Sequence, residues 1–347
     1  MDGLKQYVDI FHNNTATLFD KFSSLNEASG IDIQDYFMRY TLDSFCEIGF
    51  GIQINSIAAE SNHFAKAFDV VQYHSAIRGH FGKLWKIKEK IIRPTEFYKN
   101  LEYMDNFVFE IINERKKESP EQLAERSDLL SKLLTANKNA SNDELRDFVM
   151  NFLIAGRDTT AVLLTWCIYL LCNNSDVTEK LLGEINENLA EDEAPTFQNT
   201  KSLIYMKQVL QETLRLYPPV PIDGFDAEKD CILPGGFKIE KGTPVLYCAW
   251  DLHRRPEYWG ADSLSFKPER FATPPAPYTW IPFHAGPREC LGKEMAYLEA
   301  KIMLCNFLRK YNFSLDSNQV VETKQGIILT ALNGVRVHLA ERTSSKQ

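Results

Sequence analysis

Apolar residues recur at helical spacing through the first two thirds of the chain. Leu4, Val8, Phe11, Leu18, Phe22 and Leu25 share one face and predict a first helix. A break at Ala28-Ser29-Gly30 separates it from a second helix over residues 35–48, stopped by Gly49-Phe50-Gly51. Further helical patterns cover residues 62–72, 84–92 and 94–117, whereas 118–126 is polar and reads as a loop. Apolar residues return at 129–134. Ser141-Asn142-Asp143-Glu144 is a capping-box pattern, in which a hydroxyl and a carboxylate satisfy free amides at a helix start. The helix it opens is expected to reach Cys172, about 30 residues or ~45 Å at ~1.5 Å per residue. Two more helices are expected at 176–189 and 201–216, the second stopped by Tyr217-Pro218-Pro219.

After Val220 the period changes. Short alternating runs with Gly and Pro punctuation at 231–245 predict small strands. A last long helix is expected over 291–311. Residues 327–339 read as a hairpin turning at Asn333-Gly334, because both residues tolerate the positive φ of a type I′ turn. No internal repeat or low-complexity tract interrupts the pattern. The expectation is one mainly α domain over residues 1–347, with a long central helix and a small β-sheet region near the C-terminus.

Composition narrows the function. The 347 residues carry 39 Lys and Arg against 47 Asp and Glu, a net charge of −8. That balance offers no concentrated basic face, so nucleic acid is not an expected partner. With 44% hydrophobic and 25% charged residues the chain has globular proportions, which excludes a disordered or collagen-like body. Seven cysteines without CxxC spacing argue against a disulfide framework and a structural zinc site. The opening Met1-Asp2-Gly3-Leu4-Lys5 lacks the pattern of a secretory leader. Residues 148–172 are the most apolar stretch, but Arg157 and Asp158 interrupt it, so a core helix is expected rather than a membrane span.

Four segments carry candidate chemistry. Phe283-His284-Ala285-Gly286-Pro287-Arg288-Glu289-Cys290-Leu291-Gly292 immediately precedes the last long helix. A cysteine at a helix N-terminus meets the positive end of the dipole and free amides, both of which favour thiolate. Gly286 and Gly292 leave room for a flat group beside the backbone, and Arg288 supplies a cation for a carboxylate. Taken alone, Cys290 reads first as a buried structural cysteine beside a surface Arg. Glu212 and Arg215 lie three apart on one helix face and can pair, as many exposed pairs do. Phe266-Lys267-Pro268-Glu269-Arg270-Phe271 is a Pro-stiffened loop. Ala155-Gly156-Arg157-Asp158-Thr159-Thr160 puts poor helix formers in the middle of the central helix, which predicts either a packing defect or a functional polar kink.

Together and in this order, the four segments resemble the cytochrome P450 family over nearly the whole chain. Residues 43–51 and 84–88 look most like its fatty-acid ω-hydroxylating branch. The resemblance implies haem b (iron protoporphyrin IX) as cofactor and Cys290 as its axial thiolate, with Arg288 as a propionate partner. Phe283, Gly286 and Gly292 complete the implied cofactor loop. Thiolate ligation favours O–O cleavage. Asp158 and Thr159 would deliver protons during oxygen activation, with Gly156 opening a groove for oxygen. Glu212, Arg215 and Arg270 would form a buried ion network behind the haem. The implied activity is monooxygenation of a lipophilic substrate, a long-chain fatty acid or alkane.

No nucleotide-binding glycine fingerprint is present, so electrons are expected from an external NADPH-dependent P450 reductase. Lys293, Lys301, Arg309 and Lys310 on the last helix offer that partner a basic face, or form a plain solvated one. The family also implies the cytosolic face of the endoplasmic reticulum membrane, held by an N-terminal anchor. The sequence departs from the family pattern in places. Phe225 stands where a basic residue near a propionate is common, and His284 where a small residue or Asn is usual. The family's first helices and strands have no counterpart, which reads as an N-terminally truncated chain. Trp250 and Arg254 match a family spacing, but lie downstream of their expected place and read as a coincidence. Two rivals share these features: a haem-thiolate isomerase or dehydratase, against which Asp158-Thr159 counts, and a non-catalytic remnant that binds haem poorly.

Overall fold

A computed structural model describes residues 2–25, 30–81, 84–91 and 95–342. A 3-10 turn at Asp2–Tyr7 leads into α1 (Val8–Ser23), and a two-residue strand, β1 (Ile31–Asp32), precedes α2 (Ile33–Phe50). Next come α3 (His63–Phe81), α4 (Trp85–Ile91), α5 (Thr95–Arg115), α6 (Pro120–Glu125) and α7 (Leu129–Ala136). The central helix α8 spans Asn142–Cys172 and is followed by α9 (Ser175–Asn188) and α10 (Ile204–Leu216). Strands β2 (Ile222–Asp226) and β5 (Pro244–Cys248) pair antiparallel, as do β3 (Cys231–Leu233) and β4 (Phe237–Ile239). Two single turns, α11 (Ala249–Leu252) and α12 (Pro256–Trp259), precede an irregular stretch and then α13 (Lys293–Lys310). The chain closes with β6 (Tyr311–Leu315), β7 (Thr323–Gln325), β8 (Leu329–Ala331) and β9 (Arg336–Glu341).

The central helix starts where the capping box places it: the Ser141 hydroxyl accepts from Glu144 N, and Ser141 N donates to Glu144 Oε2 at 2.8 Å. It runs through Gly156 without a break in the helix. Although α8 is long and apolar enough to cross a bilayer, most of its apolar stretch is buried inside the protein. Its C-terminal half packs with α1, α9, α10 and α13 around Leu18, Trp166, Met206 and Phe307. Its N-terminal half packs with α2, α3, α5 and α7 around Phe50, Phe68, Ile112 and Val149. Trp166 stacks on Tyr217 at 4.1 Å and donates to Leu329 O at 2.8 Å, so its indole nitrogen is satisfied in the core.

Several expectations are corrected. The polar stretch 118–126 contains α6, opened by a second capping box between Ser119 and Gln122. The second helix runs past Gly49 to Phe50, because Gly51 at φ +68° is the left-handed C-cap. Residues 28 and 29 of the expected break lie outside the described residues. The hairpin over 327–339 does not form. β8 pairs with β7, while β9 pairs with β6 and β1. The Asp32 carboxylate accepts from Val335 N at 3.0 Å, and Ile33 N donates to Val335 O at 2.9 Å. Those bonds draw the chain after Gly334 onto β1 and away from β8.

Candidate functional site

The loop before α13 is built around two left-handed positions, His284 at φ +63° and Gly286 at φ +77°. A non-glycine residue at positive φ is uncommon, and here the His284 Nε2 lies 2.6 Å from Asp223 Oδ2 of β2. Cys290 N donates to Phe283 O at 2.9 Å, which folds the loop back on itself. The Phe283 ring lies 5.4 Å from that of Tyr297 on α13 and 6.3 Å from Trp280. Gly292 is the N-cap of α13, and a Cβ there would sit 3.8 Å from Cys290 Sγ. Nothing crowds Gly286. Cys290 and Arg288 are exposed, and Leu291 is 94% exposed.

These residues fit a haem. The thiol lies just before the amino end of an 18-residue helix, with Gly286 and Gly292 on either side of it in sequence and Arg288 two residues earlier. Large apolar side chains face outward on neighbouring elements, among them Phe148 and Ile154 of α8 and Phe225 of β2. Phe225 brings no charge to the place where a cation was looked for. Its ring stacks on Tyr247 instead.

Glu212 and Arg215 are fully buried on α10, and Arg215 grips the carboxylate with Nε at 2.6 Å and Nη2 at 2.8 Å. The same guanidinium donates to the carbonyls of His253 (2.8 Å), Ser263 (2.6 Å) and Ser265 (3.1 Å). Arg270 brings its Nε within 3.3 Å of Glu212 and donates to Trp259 O at 2.9 Å. The structure thus brings Glu212, Arg215 and Arg270 together. Such a network adds little net stability, but it satisfies many buried groups at once. His253, which sequence reasoning missed, links it to the cysteine loop by accepting from Ile281 N at 2.9 Å. Burial, with Arg215 and Arg254 nearby, depresses the His253 pKa to about 3, so it stays a neutral acceptor. The Trp250–Arg254 spacing has a local meaning too, with the guanidinium 3.2 Å from the indole centroid.

On α8 the two proton-delivery candidates point different ways. Thr159 is half-buried, and its hydroxyl donates to Ala155 O at 2.6 Å within its own helix. Asp158 is 2% exposed and accepts from Arg157 Nη1 at 3.0 Å and from Gln72 of α3. Burial pushes the Asp158 pKa upward, opposed by Arg157 and Gln72. The side of Gly156 expected to open a groove faces Phe45 of α2, whose ring fills the space a Cβ would need.

The proposed basic face on α13 needs correction. Lys301 is buried and donates to Thr200 O at 2.6 Å and Leu203 O at 3.3 Å. Arg309 binds backbone carbonyls after α9, including Glu193 O at 2.8 Å. Lys293 pairs with Glu289 and Lys310 with Glu341. Sequence reasoning also missed Glu299 of α13, which is fully buried with neither carboxylate oxygen hydrogen-bonded among the described residues.

The cytochrome P450 family model matches residues 1–335. Cytochrome P450 704C1 of Pinus taeda is 36% identical over 97% of this chain and 72% of its own length. Cytochrome P450 704B1 of Arabidopsis thaliana is 34% identical over 93% of this chain and 72% of its own. Bifunctional cytochrome P450/NADPH–P450 reductase 2 of Bacillus subtilis is 31% identical over 94% of this chain and 31% of its own length. A thiol-bearing loop before α13, a buried Glu-Arg-Arg network and a model match across nearly the whole sequence agree: the chain belongs to the cytochrome P450 family.

Proposed function

We propose that this P450 monooxygenase hydroxylates a long-chain aliphatic substrate, a fatty acid or alkane, with electrons from a separate NADPH-dependent reductase. The observation that carries the reading is the exposed Cys290 thiol at the head of α13, flanked by Gly286, Gly292 and Arg288. Cys290 would hold the haem iron, Arg288 a propionate, and Phe283 would pack beside the loop. When bound, haem supplies the iron at which dioxygen is reduced. The protein's own residues position the substrate, exclude water and move protons: Thr159 holds a hydroxyl on a half-exposed face of α8, and Asp158 a carboxyl one residue away.

The likeness of residues 43–51 and 84–88 to fatty-acid hydroxylases supports the substrate class. Ile327 and Leu332 support it too, as large apolar side chains that stay about half exposed at 47% each. Leu329, expected among them, is 3% exposed and belongs to the core. Buried methylenes add about 0.8 kcal/mol each, so affinity should climb with chain length. The Bacillus subtilis relative, whose name joins a P450 to an NADPH–P450 reductase, supports the electron source. Attachment to the endoplasmic reticulum membrane belongs to the same reading.

The test is the ferrous–carbon monoxide spectrum of the protein and of Cys290→Ala, followed by spectral titration with fatty acids of increasing length. Loss of the red-shifted band in the variant, and affinity that rises with length, are expected. A band that survives Cys290→Ala removes the ligand assignment. A flat length series removes the substrate class.

A further inference from the structure

The turn of α8 that carries Asp158 is gripped by one face of α3. Phe68, Asp69 and Gln72 all reach it: the Arg157 guanidinium lies 4.8 Å from the Phe68 ring centroid, and Gln72 donates to Asp158 Oδ2. One nitrogen, Arg157 Nη1, is divided between two carboxylates, Asp69 at 2.9 Å and Asp158 at 3.0 Å. The Nε of Arg157 is buried without a hydrogen-bond partner among the described residues, so this divided contact is how the guanidinium is held. Asp158 therefore has one oxygen committed to Arg157 and the other to Gln72. Both donors lie on the α3 side, while Thr159 leaves the helix about 100° further round.

We propose that Gln72 is a positioning residue for Asp158, holding its carboxyl on the α3 side of α8, and that Asp69 opposes it by drawing Arg157 away. The proposal rests on the reading that Asp158 supplies protons during turnover. In that role the carboxyl must exchange protons with solvent and then release them toward Thr159. A cavity beside α3 provides the solvent contact, since Gln72, Arg157, Asp158 and Asp69 all line it. Beside these, the charged groups facing that space are Asp32 from β1, Asp35 and Arg39 from α2, Glu60, Lys66 from α3 and Lys324 from β7.

The two α3 residues act in opposite directions, which separates positioning from simple damage to the packing. Removing Gln72 takes a donor from the carboxylate and favours its protonated form. Removing the Asp69 charge leaves Arg157 wholly to Asp158 and favours the ionised form. The test compares Gln72→Leu, Gln72→Met, Asp69→Asn and Asp158→Asn in the whole chain. The Asp158 carboxyl stretch is assigned by its loss in Asp158→Asn and titrated by difference infrared spectroscopy, with product formed per NADPH measured alongside. Gln72→Met serves if Gln72→Leu does not fold. A midpoint raised by the Gln72 variants and lowered by Asp69→Asn, with loss of product per NADPH in both, is the expected result. Midpoints that stay put, or move the same way, overturn the proposal. If the midpoints split but Asp158→Asn itself leaves product per NADPH unchanged, the proton-supply reading of Asp158 is what fails, and a role for Gln72 in turnover falls with it.

Discussion

The Phe45 ring of α2 stands directly over the bare Cα of Gly156 in α8: a Cβ at that position would come within 1.9 Å of the ring. This close approach is where the two helices meet across the centre of the molecule, one turn from Thr159. A residue that costs about 1 kcal/mol in an isolated helix is therefore used where anything larger would part α2 from α8.

Gly156→Ala tests that relationship. The gain in helix propensity is outweighed by overpacking against a ring that is 7% exposed, and a net loss of about 1–3 kcal/mol is expected. Urea unfolding measures it. Adding Phe45→Ala should remove most of the Gly156→Ala penalty in a double-mutant cycle, because the two residues touch.

The buried ion network predicts an order of severity. Glu212→Gln leaves the Arg215 and Arg270 guanidiniums without the counter-charge between them and should cost about 3–5 kcal/mol. Arg215→Met should cost more, because the carbonyls of His253, Ser263 and Ser265 lose their donor together with Glu212. Equal thermal shifts in the two variants would show that these carbonyl bonds add nothing.

Glu299 predicts a pH dependence of stability. Its burial raises the folded-state pKa well above 4.5, so the folded protein keeps a proton that the unfolded chain releases. The folded state binds more protons above pH 4.5, and stability from this group falls as pH rises from there toward the folded pKa. Glu299→Gln removes the dependence. The difference in unfolding free energy between pH 5 and pH 8 should be smaller in the variant than in the parent protein.

Thr159→Val separates oxygen chemistry from packing. The hydroxyl bonds only to Ala155 O of its own helix among the described contacts, so the isosteric change should alter stability by less than about 1 kcal/mol. Haem content should hold while NADPH consumption runs ahead of product. Unchanged coupling would return Thr159 to a structural role.

Local patterns determined much of this protein. The capping box at Ser141, the period of the central helix and the Pro-Pro stop after α10 rest on residues near in sequence, and they read correctly. The cysteine loop was legible for the same reason, since its glycines, Arg288 and Cys290 lie within a few residues of the helix they precede. Tertiary structure decided what depends on distant partners. Asn333-Gly334 looks like a hairpin turn, but Asp32, some three hundred residues earlier, takes the amide of Val335 and sends β9 to another sheet. Lys301 looks like a surface cation until Thr200 and Leu203 cover it. Gly156 looks like a helix defect until Phe45 fills its place. Asp158 and Thr159 are neighbours in sequence, yet α3 holds one by contacts the other does not share. Periodicity and caps are set by bonds within a turn or two of chain, whereas burial, partner and orientation are set by whichever element packs alongside.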